Sequence, residues 1–144
     1  MEELYHGRVM ELAADIPHVG RLEHPDGAAT KVSRVCGSVV SVEINLKDGK
    51  VSNIAVLPKA CALGQAATGV LALNAIGATP AEIRVARDAL KAMLKEGGPP
   101  PTGRFWELRH LEGVRAYPAR HASTMLAFDA AVDALEQAKA NVKR

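Results

Sequence analysis

The sequence predicts an α+β domain in which an antiparallel three-stranded sheet packs against a layer of helices. Strand-like segments cluster between residues 29 and 57, and helix-like segments follow from residue 61 onward. Strands grouped ahead of helices are typical of α+β domains whose helices cover one face of the sheet. The chain has 144 residues, the length of one ordinary domain, and we therefore expect a single domain over residues 1–144.

The predicted strands carry the signals of a half-buried sheet. Residues 30–35 are rich in β-branched side chains, and hydrophobic and polar residues alternate over 40–47. This alternation matches the period of a strand with one buried face. Asp48 and Gly49 both tolerate the positive φ of a tight hairpin. The return strand is predicted over 51–57, ending at Pro58.

Helices are predicted on both sides of this sheet in the sequence. A short helix is expected over 3–14, and the Ala-rich segment 62–76 predicts a buried helix. Thr79, Pro80 and Glu82 combine a capping box with proline at the first helical position, and the helix that they start ends at Gly97. Further helices are predicted over 105–111 and 119–140. The last one is expected to face the core with Ala122, Met125, Val132 and Leu135.

Composition narrows the class of function. The chain has 18 basic and 16 acidic side chains, a net charge of +2, and no block of five like charges. Nucleic-acid and membrane-surface proteins need a concentrated basic face, so we expect neither kind of partner. No run of 18 apolar residues occurs, and the acidic N-terminus lacks the apolar segment of a signal peptide. These features predict a cytoplasmic protein.

Two cysteines, Cys36 and Cys61, are the candidate chemical groups. In a reducing compartment they are expected to be thiols for metal or sulfur chemistry, with inert burial in the core as the alternative. Cys36 precedes Gly37 in a predicted turn. Cys61 directly precedes a helix, whose positive dipole end favours a thiolate. The sequence has no phosphate-binding glycine loop, nucleophile elbow or zinc-hydrolase histidine pair, so we expect no enzyme activity.

Segments spread over nearly the whole chain carry a resemblance to a known family. They are residues 9–11 and 19–22, Cys36-Gly37, residues 48–51, Cys61, and residues 111–120. Together they resemble the U-type scaffolds for iron–sulfur clusters, the family of IscU, SufU and the N-terminal domain of NifU. The segment 111–120 is similar to the insertion-bearing SufU branch in particular.

This resemblance implies a site for a metal or cluster, which the family builds from three cysteines and one aspartate. Cys36 and Cys61 stand at the first two cysteines, whereas Ser38 stands at the aspartate and Ser123 at the third cysteine. A serine hydroxyl stays protonated near neutral pH and is a poor ligand for zinc or iron. We therefore expect a degenerate metal site.

Two neighbours of Ser123 are candidate supporting residues. His121 is either a replacement ligand or an exposed or capping residue at the start of the last helix. Arg120 matches a basic residue beside the family's site, where it either steadies a thiolate or persulfide or is simply exposed.

The function that the resemblance implies is a scaffold or sulfur acceptor that works with a cysteine desulfurase and with iron–sulfur carrier or acceptor proteins. Its cargo would be a labile iron–sulfur cluster or zinc, or no metal at all. Two alternatives stay open, a regulatory or partner-binding module of the same fold that binds no metal, and a weak zinc-binding sulfur-transfer protein. If the resemblance holds, Cys36, Ser38, Cys61 and Ser123 meet at one end of the domain.

Overall fold

The computed structural model describes residues 2–142 and shows a three-stranded antiparallel sheet with helices packed on it. This confirms the predicted α+β fold. The strands are β1 (Gly27–Val32), β2 (Val39–Lys47) and β3 (Lys50–Lys59), and the α-helices are α1 (Gly7–Ala14), α2 (Ala62–Asn74), α3 (Pro80–Glu96) and α4 (His121–Val142). Three 3₁₀ segments cover Glu2–Tyr5, Gly103–Ala116 and Pro118–Arg120.

The described residues contain no helix that is both long and apolar enough to cross a bilayer. The expectation of one domain over 1–144 also covers Met1, Lys143 and Arg144, which lie outside the described residues, and it stays a prediction.

The sheet has the strand order β1-β2-β3, and both pairs are antiparallel. Val40, Val42 and Ile44 on β2 are fully buried, as their alternation with polar residues predicts. Asp48 and Gly49 form the β2–β3 turn with φ values of 54° and 75°, which confirms the predicted hairpin.

Helix α4 packs across β1 and β2, while α2 lies between α1 and α4. Most of α2 is buried, from Leu63 to Ala72, as its continuous apolar composition predicts. A Cβ on Gly27 would overlap the backbone oxygen of Ala134, so β1 can lie directly against α4 only because this residue has no side chain.

The boundaries of two strands differ from the sequence prediction. The first strand covers Gly27–Val32 rather than 30–35, because the chain turns back on itself after Val32. The Ser33 N–H donates to the Ser38 oxygen at 2.8 Å and closes this turn. Strand β3 continues through Pro58 to Lys59, since β3 pairs only with β2 in the sheet and an edge strand tolerates a residue that lacks an N–H.

The helical predictions are correct for the longer elements and need correction at their ends. Thr79 and Glu82 form the predicted reciprocal capping box, and Gly97 ends α3 with a φ of 68°. The predicted helix over 3–14 is split at the extended His6 into a 3₁₀ turn and α1. The predicted short helix at 105–111 is a longer 3₁₀ segment, Gly103–Ala116. Ala122, predicted to face the core, is exposed beside α3.

Candidate thiol site

Cys36 is presented by the tight turn between β1 and β2. Two backbone hydrogen bonds of 2.8 Å close the turn, from the Ser33 N–H to the Ser38 oxygen and from the Gly37 N–H to the Ser33 oxygen. Gly37 has a φ of 72°, a backbone conformation that favours glycine. The turn leaves Cys36 exposed, so a large molecule can reach its thiol.

The environment of Cys36 favours the ionised thiol. Its Sγ lies 3.0 Å from the hydroxyl of Ser38 and 3.7 Å from that of Ser33. The hydrogen bond from the Ser38 hydroxyl is the main cause that lowers the pKa of Cys36 to about 7, and partial burial opposes it. Smaller contributions come from the Ser38 backbone and from the hydroxyls of Ser33 and Ser123. About half of the thiol is therefore ionised at pH 7, and the thiolate is the nucleophilic form.

Cys61 occupies a different position, at the N-cap of α2. It is half-buried, and its Sγ lies 3.5 Å from the hydroxyl of Ser123 at the start of α4. The two helices approach closely here because Gly64 has no side chain. A Cβ at Gly64 would lie 2.9 Å from the Ser123 backbone oxygen and 2.9 Å from Ala60 Cβ, both well inside normal van der Waals contact.

Ser123 joins the two cysteines. Its hydroxyl is buried and donates to the Arg120 carbonyl at 3.2 Å. Because a hydroxyl has a single hydrogen, Ser123 then accepts from the Cys61 S–H. When Cys36 is ionised, the same hydroxyl can instead turn its hydrogen toward that thiolate, and this is the weakest of the hydrogen bonds that lower the pKa of Cys36. The structure thus brings Cys36, Ser38, Cys61 and Ser123 together where the β1–β2 turn meets the starts of α2 and α4.

His121 is directed elsewhere. Its side chain is buried, and its Nε2 lies 3.0 Å from the Val114 oxygen and 3.2 Å from the Arg115 oxygen. Carbonyls only accept hydrogen bonds, so Nε2 carries the proton and is committed to the 3₁₀ segment. His121 is therefore buried rather than exposed, and its side chain binds the last carbonyls of the 3₁₀ segment and ties that segment to the start of α4.

Arg120 contributes to the site through its backbone. Its carbonyl accepts hydrogen bonds from the hydroxyls of Ser123 and Thr124, the latter at 2.8 Å. Its guanidinium forms no hydrogen bond or ion pair within residues 2–142, and the residue is half-exposed. The role predicted for Arg120 beside a persulfide stays a prediction.

The donors at this site do not suit a tetrahedral metal. Zinc and cluster irons take thiolate, imidazole or carboxylate ligands, four for each zinc ion. The site supplies two thiols and two hydroxyls, and the described residues include no group of three or more His, Cys, Asp or Glu side chains that could hold a metal. The residues present therefore do not fit a tightly bound zinc ion or cluster within one copy of the chain.

Sequence reasoning missed two contributors to the site. Ser33 lies within 3.7 Å of Cys36, and Gly64 permits the approach of α2 to Ser123. A serine three residues before a cysteine in a turn, and a glycine inside an otherwise strong helix, were the available signals.

Comparison with known proteins gives consistent results. A crystal structure described as a nitrogen-fixing NifU-like protein (N-terminal) from Brucella abortus superimposes with a TM-score of 0.94, at 48% identity over 96% of both chains. A putative scaffold protein for the SUF system, SufU from Fervidobacterium islandicum, shares the fold with a TM-score of 0.84 at 20% identity, over 92% of this chain and 96% of that one. The scaffold protein IscU 1 of Archaeoglobus fulgidus is 30% identical over 98 residues, 67% of this chain, and the match spans 63% of that curated relative.

The family model called NifU-like N terminal domain matches residues 4–142, nearly all of the chain. The fold, the strand–turn–helix placement of the two cysteines and this match agree with one another. The chain belongs to the family of NifU-like N-terminal domains.

Proposed function

We propose that the protein is an iron–sulfur cluster assembly scaffold of this family that acts as a sulfur acceptor for a cysteine desulfurase. The observation that carries the proposal is the exposed Cys36, whose pKa of about 7 makes a nucleophilic thiolate available at neutral pH. The similarity to the Archaeoglobus relative, which is an iron–sulfur cluster assembly scaffold protein, supports the same assignment.

The proposed step is a transfer of sulfane sulfur between two cysteines. The Cys36 thiolate attacks the terminal sulfur of a persulfide on the desulfurase. A new S–S bond forms on Cys36 as the S–S bond on the desulfurase breaks, and the desulfurase cysteine leaves as a thiolate. No net oxidation occurs, and the hydroxyls of Ser38 and Ser33 are placed to hydrogen-bond negative charge on the product.

Cys61 and Ser123 have a supporting role in this proposal. The Cys61 S–H donates to Ser123, and this contact holds the Cys61 side chain at the start of α4. Serine at positions 38 and 123 leaves two neutral hydroxyls among the four donors, so any zinc or cluster is held weakly and passed on to carrier or acceptor proteins. Two free thiols suit a reducing compartment such as the cytoplasm.

The test uses the purified protein with a cysteine desulfurase and cysteine, followed by mass spectrometry under non-reducing conditions. We expect one added sulfur atom, mapped to the peptide that contains Cys36, and no added sulfur without the desulfurase. Absence of the added sulfur, or its location on Cys61 alone, would refute the assignment.

A second function is favoured by the same two serines. If the loss of an acidic ligand and a thiolate ligand has ended metal and sulfur chemistry, the protein is a regulatory module that binds the desulfurase through the family fold. Such a module changes the rate of the desulfurase without receiving sulfur, so the same mass measurement combined with a desulfurase assay separates the two functions. A protein that instead retains zinc weakly while passing sulfur corresponds to the zinc-binding alternative.

A further inference from the structure

A seam of ion pairs runs between α3 and α4. Arg84 binds Glu136 at 2.8 Å, and further along Arg87 reaches Asp129 at 3.9 Å. As residue numbers rise along α3 they fall along α4, so the helices run in opposite directions. The seam therefore leads from the end of α4 toward its beginning, where Ser123 lies.

Toward the start of α4, the cations on α3 continue but the carboxylates on α4 that would pair with them do not. Lys91 and Lys95 continue the row of cations on α3, both exposed. On α4 the corresponding positions are Met125 and Ala122, which line the same cleft as the two lysines. Neither lysine has an ion pair within 4.0 Å in the part of the chain that the structure describes.

The acidic side chains nearby are already engaged. Asp133 pairs with Lys31 at 2.7 Å, and Arg87 pairs with Asp88 at 2.7 Å. Burial raises the pKa of Asp129, and attraction to Arg87, Lys31 and Lys91 only partly offsets this effect. Asp129 is thus shared among several cations and does not neutralise Lys91 and Lys95.

These residues line a cleft of about 430 Å³ beside the thiol site. Its apolar surface comes from Ala122 and Met125, and its unpaired cations are Lys91 and Lys95. Ala122 immediately precedes Ser123, so the cleft opens one residue away from the contact with Cys61. An occupant of this cleft therefore contacts the residue that precedes Ser123 in α4.

We propose that the cleft docks an acidic segment of the sulfur-donating protein, with carboxylates on Lys91 and Lys95 and an apolar side chain on Ala122 and Met125. This inference rests on the proposed function and adds to it the chemistry by which the partner is recognised. Asp88 and Asp129 line the same cleft. They would repel the closely spaced charges of a nucleic acid or an anionic membrane, whereas a peptide can place its carboxylates away from them.

The first experiment compares the wild-type protein with a variant of the cleft, Lys91→Glu/Lys95→Glu, which we call the groove variant. A matched control carries Lys47→Glu/Lys50→Glu. The control makes the same change of charge at the β2–β3 hairpin, at the opposite end of β2 from the Cys36 turn. With a cysteine desulfurase as donor, we expect the groove variant to raise the KM for sulfur transfer about tenfold or more and to weaken its salt dependence. The KM of the control should stay within about twofold of the wild-type value, because its altered charges lie outside the proposed docking surface.

Unchanged transfer by the groove variant overturns the docking proposal and leaves the sulfur-acceptor function intact. Because both lysines are exposed, we expect the variant to fold. Circular dichroism of the variant checks this. If the wild-type protein accepts no sulfur at all, the proposed function fails, and a second measurement decides the docking proposal independently.

That measurement is a titration of ¹⁵N-labelled protein with a capped pentapeptide that has two glutamates on each side of one leucine. Shifts centred on Lys91, Lys95, Ala122 and Met125, lost in the groove variant and kept in the control, support the proposal. Shifts elsewhere, no shifts, or equally strong binding of single-stranded DNA or anionic vesicles to this surface would overturn it.

Discussion

The two cysteines of this protein lie in contrasting surroundings within one site. Cys36 is exposed on a turn and is hydrogen-bonded by hydroxyl donors that favour its thiolate. Cys61 is half-buried at the N-cap of a buried helix, and it donates its own hydrogen to Ser123. The two thiols therefore differ in accessibility and in hydrogen bonding, and the exposed thiol on the turn is the one whose ionised form is favoured.

The largest expected effect is on zinc affinity, and it comes from placing metal ligands at positions 38 and 123. A Ser38→Asp/Ser123→Cys variant supplies a carboxylate and a third thiolate, so its zinc affinity should exceed that of the wild-type protein by orders of magnitude. Competition with a chelator, read by metal analysis of protein purified without air, measures the change. His121→Ala is the control and should leave metal binding unaltered, because Nε2 of His121 is bonded to the carbonyls of Val114 and Arg115.

Zinc or iron that survives a chelator at one equivalent in the wild-type protein would contradict this view. So would a loss of metal on substitution of His121.

Removing each thiol in turn tests whether Cys36 is the sulfur acceptor and Cys61 a supporting residue. Cys36→Ala should abolish sulfur transfer from a desulfurase, because the exposed nucleophile is gone, whereas Cys61→Ala should slow transfer without abolishing it. Quantitative mass spectrometry of the persulfide over time gives both rates. Equal losses in the two variants would show that the cysteines act as a unit and that the asymmetry has no functional meaning.

The pH dependence of alkylation sharpens the account of Cys36. In a Cys61→Ala background, the rate of reaction with iodoacetamide should rise with pH around a midpoint of about 7. Ser38→Ala removes the main hydrogen bond to the thiolate, which moves the midpoint upward toward the ordinary pKa of a cysteine thiol. The thiolate fraction at pH 7 is about one half at a pKa of about 7, and it falls about fivefold for the first unit of pKa that is gained, so the alkylation rate at pH 7 falls with it.

Ser123→Ala is the matched comparison, because its hydrogen bond is the weakest contribution to the lowered pKa. We expect a smaller upward displacement of the midpoint than for Ser38→Ala. A larger one would mean that Cys36 depends on α4 rather than on its own turn.

The smallest expected effect is on stability, and it concerns the contact between α2 and α4 near Cys61. Gly64→Ala places a methyl group 2.9 Å from the Ser123 oxygen, and separating α2 from α4 should lower the free energy of unfolding by about 1–3 kcal/mol. Gly7→Ala is the control, since nothing lies within 4 Å of its added Cβ. Urea denaturation monitored by circular dichroism measures both, and equal stability of the two variants would show that α2 tolerates displacement from Ser123.

Much of the fold was predictable because its signals are local. The alternation along β2, the positive-φ pair Asp48-Gly49 and the capping box at Thr79 each depend on residues close in sequence, and the structure confirms all three. The early end of β1 was not predictable, since its β-branched residues run past the point where the Ser33–Ser38 hydrogen bond turns the chain. The sequence prediction also ended the third strand at Pro58. Proline is acceptable within β3 only because β3 lies at the edge of the sheet, which the local sequence does not show.

The candidate site divides in the same way. The sequence showed which chemical groups are available, two thiols that lie beside a turn and a helix start, and the resemblance to the family singled out the hydroxyls of Ser38 and Ser123. Only tertiary packing decided that the Ser123 hydroxyl contacts Cys61 and contributes to the lowered pKa of Cys36, and that His121 is turned toward the carbonyls of the 3₁₀ segment. Such contacts join positions far apart in the chain, and they depend on how closely α2 and α4 approach at Gly64. Residue types and their local spacing fix which groups are available, whereas the distances between them follow from the packing of whole elements.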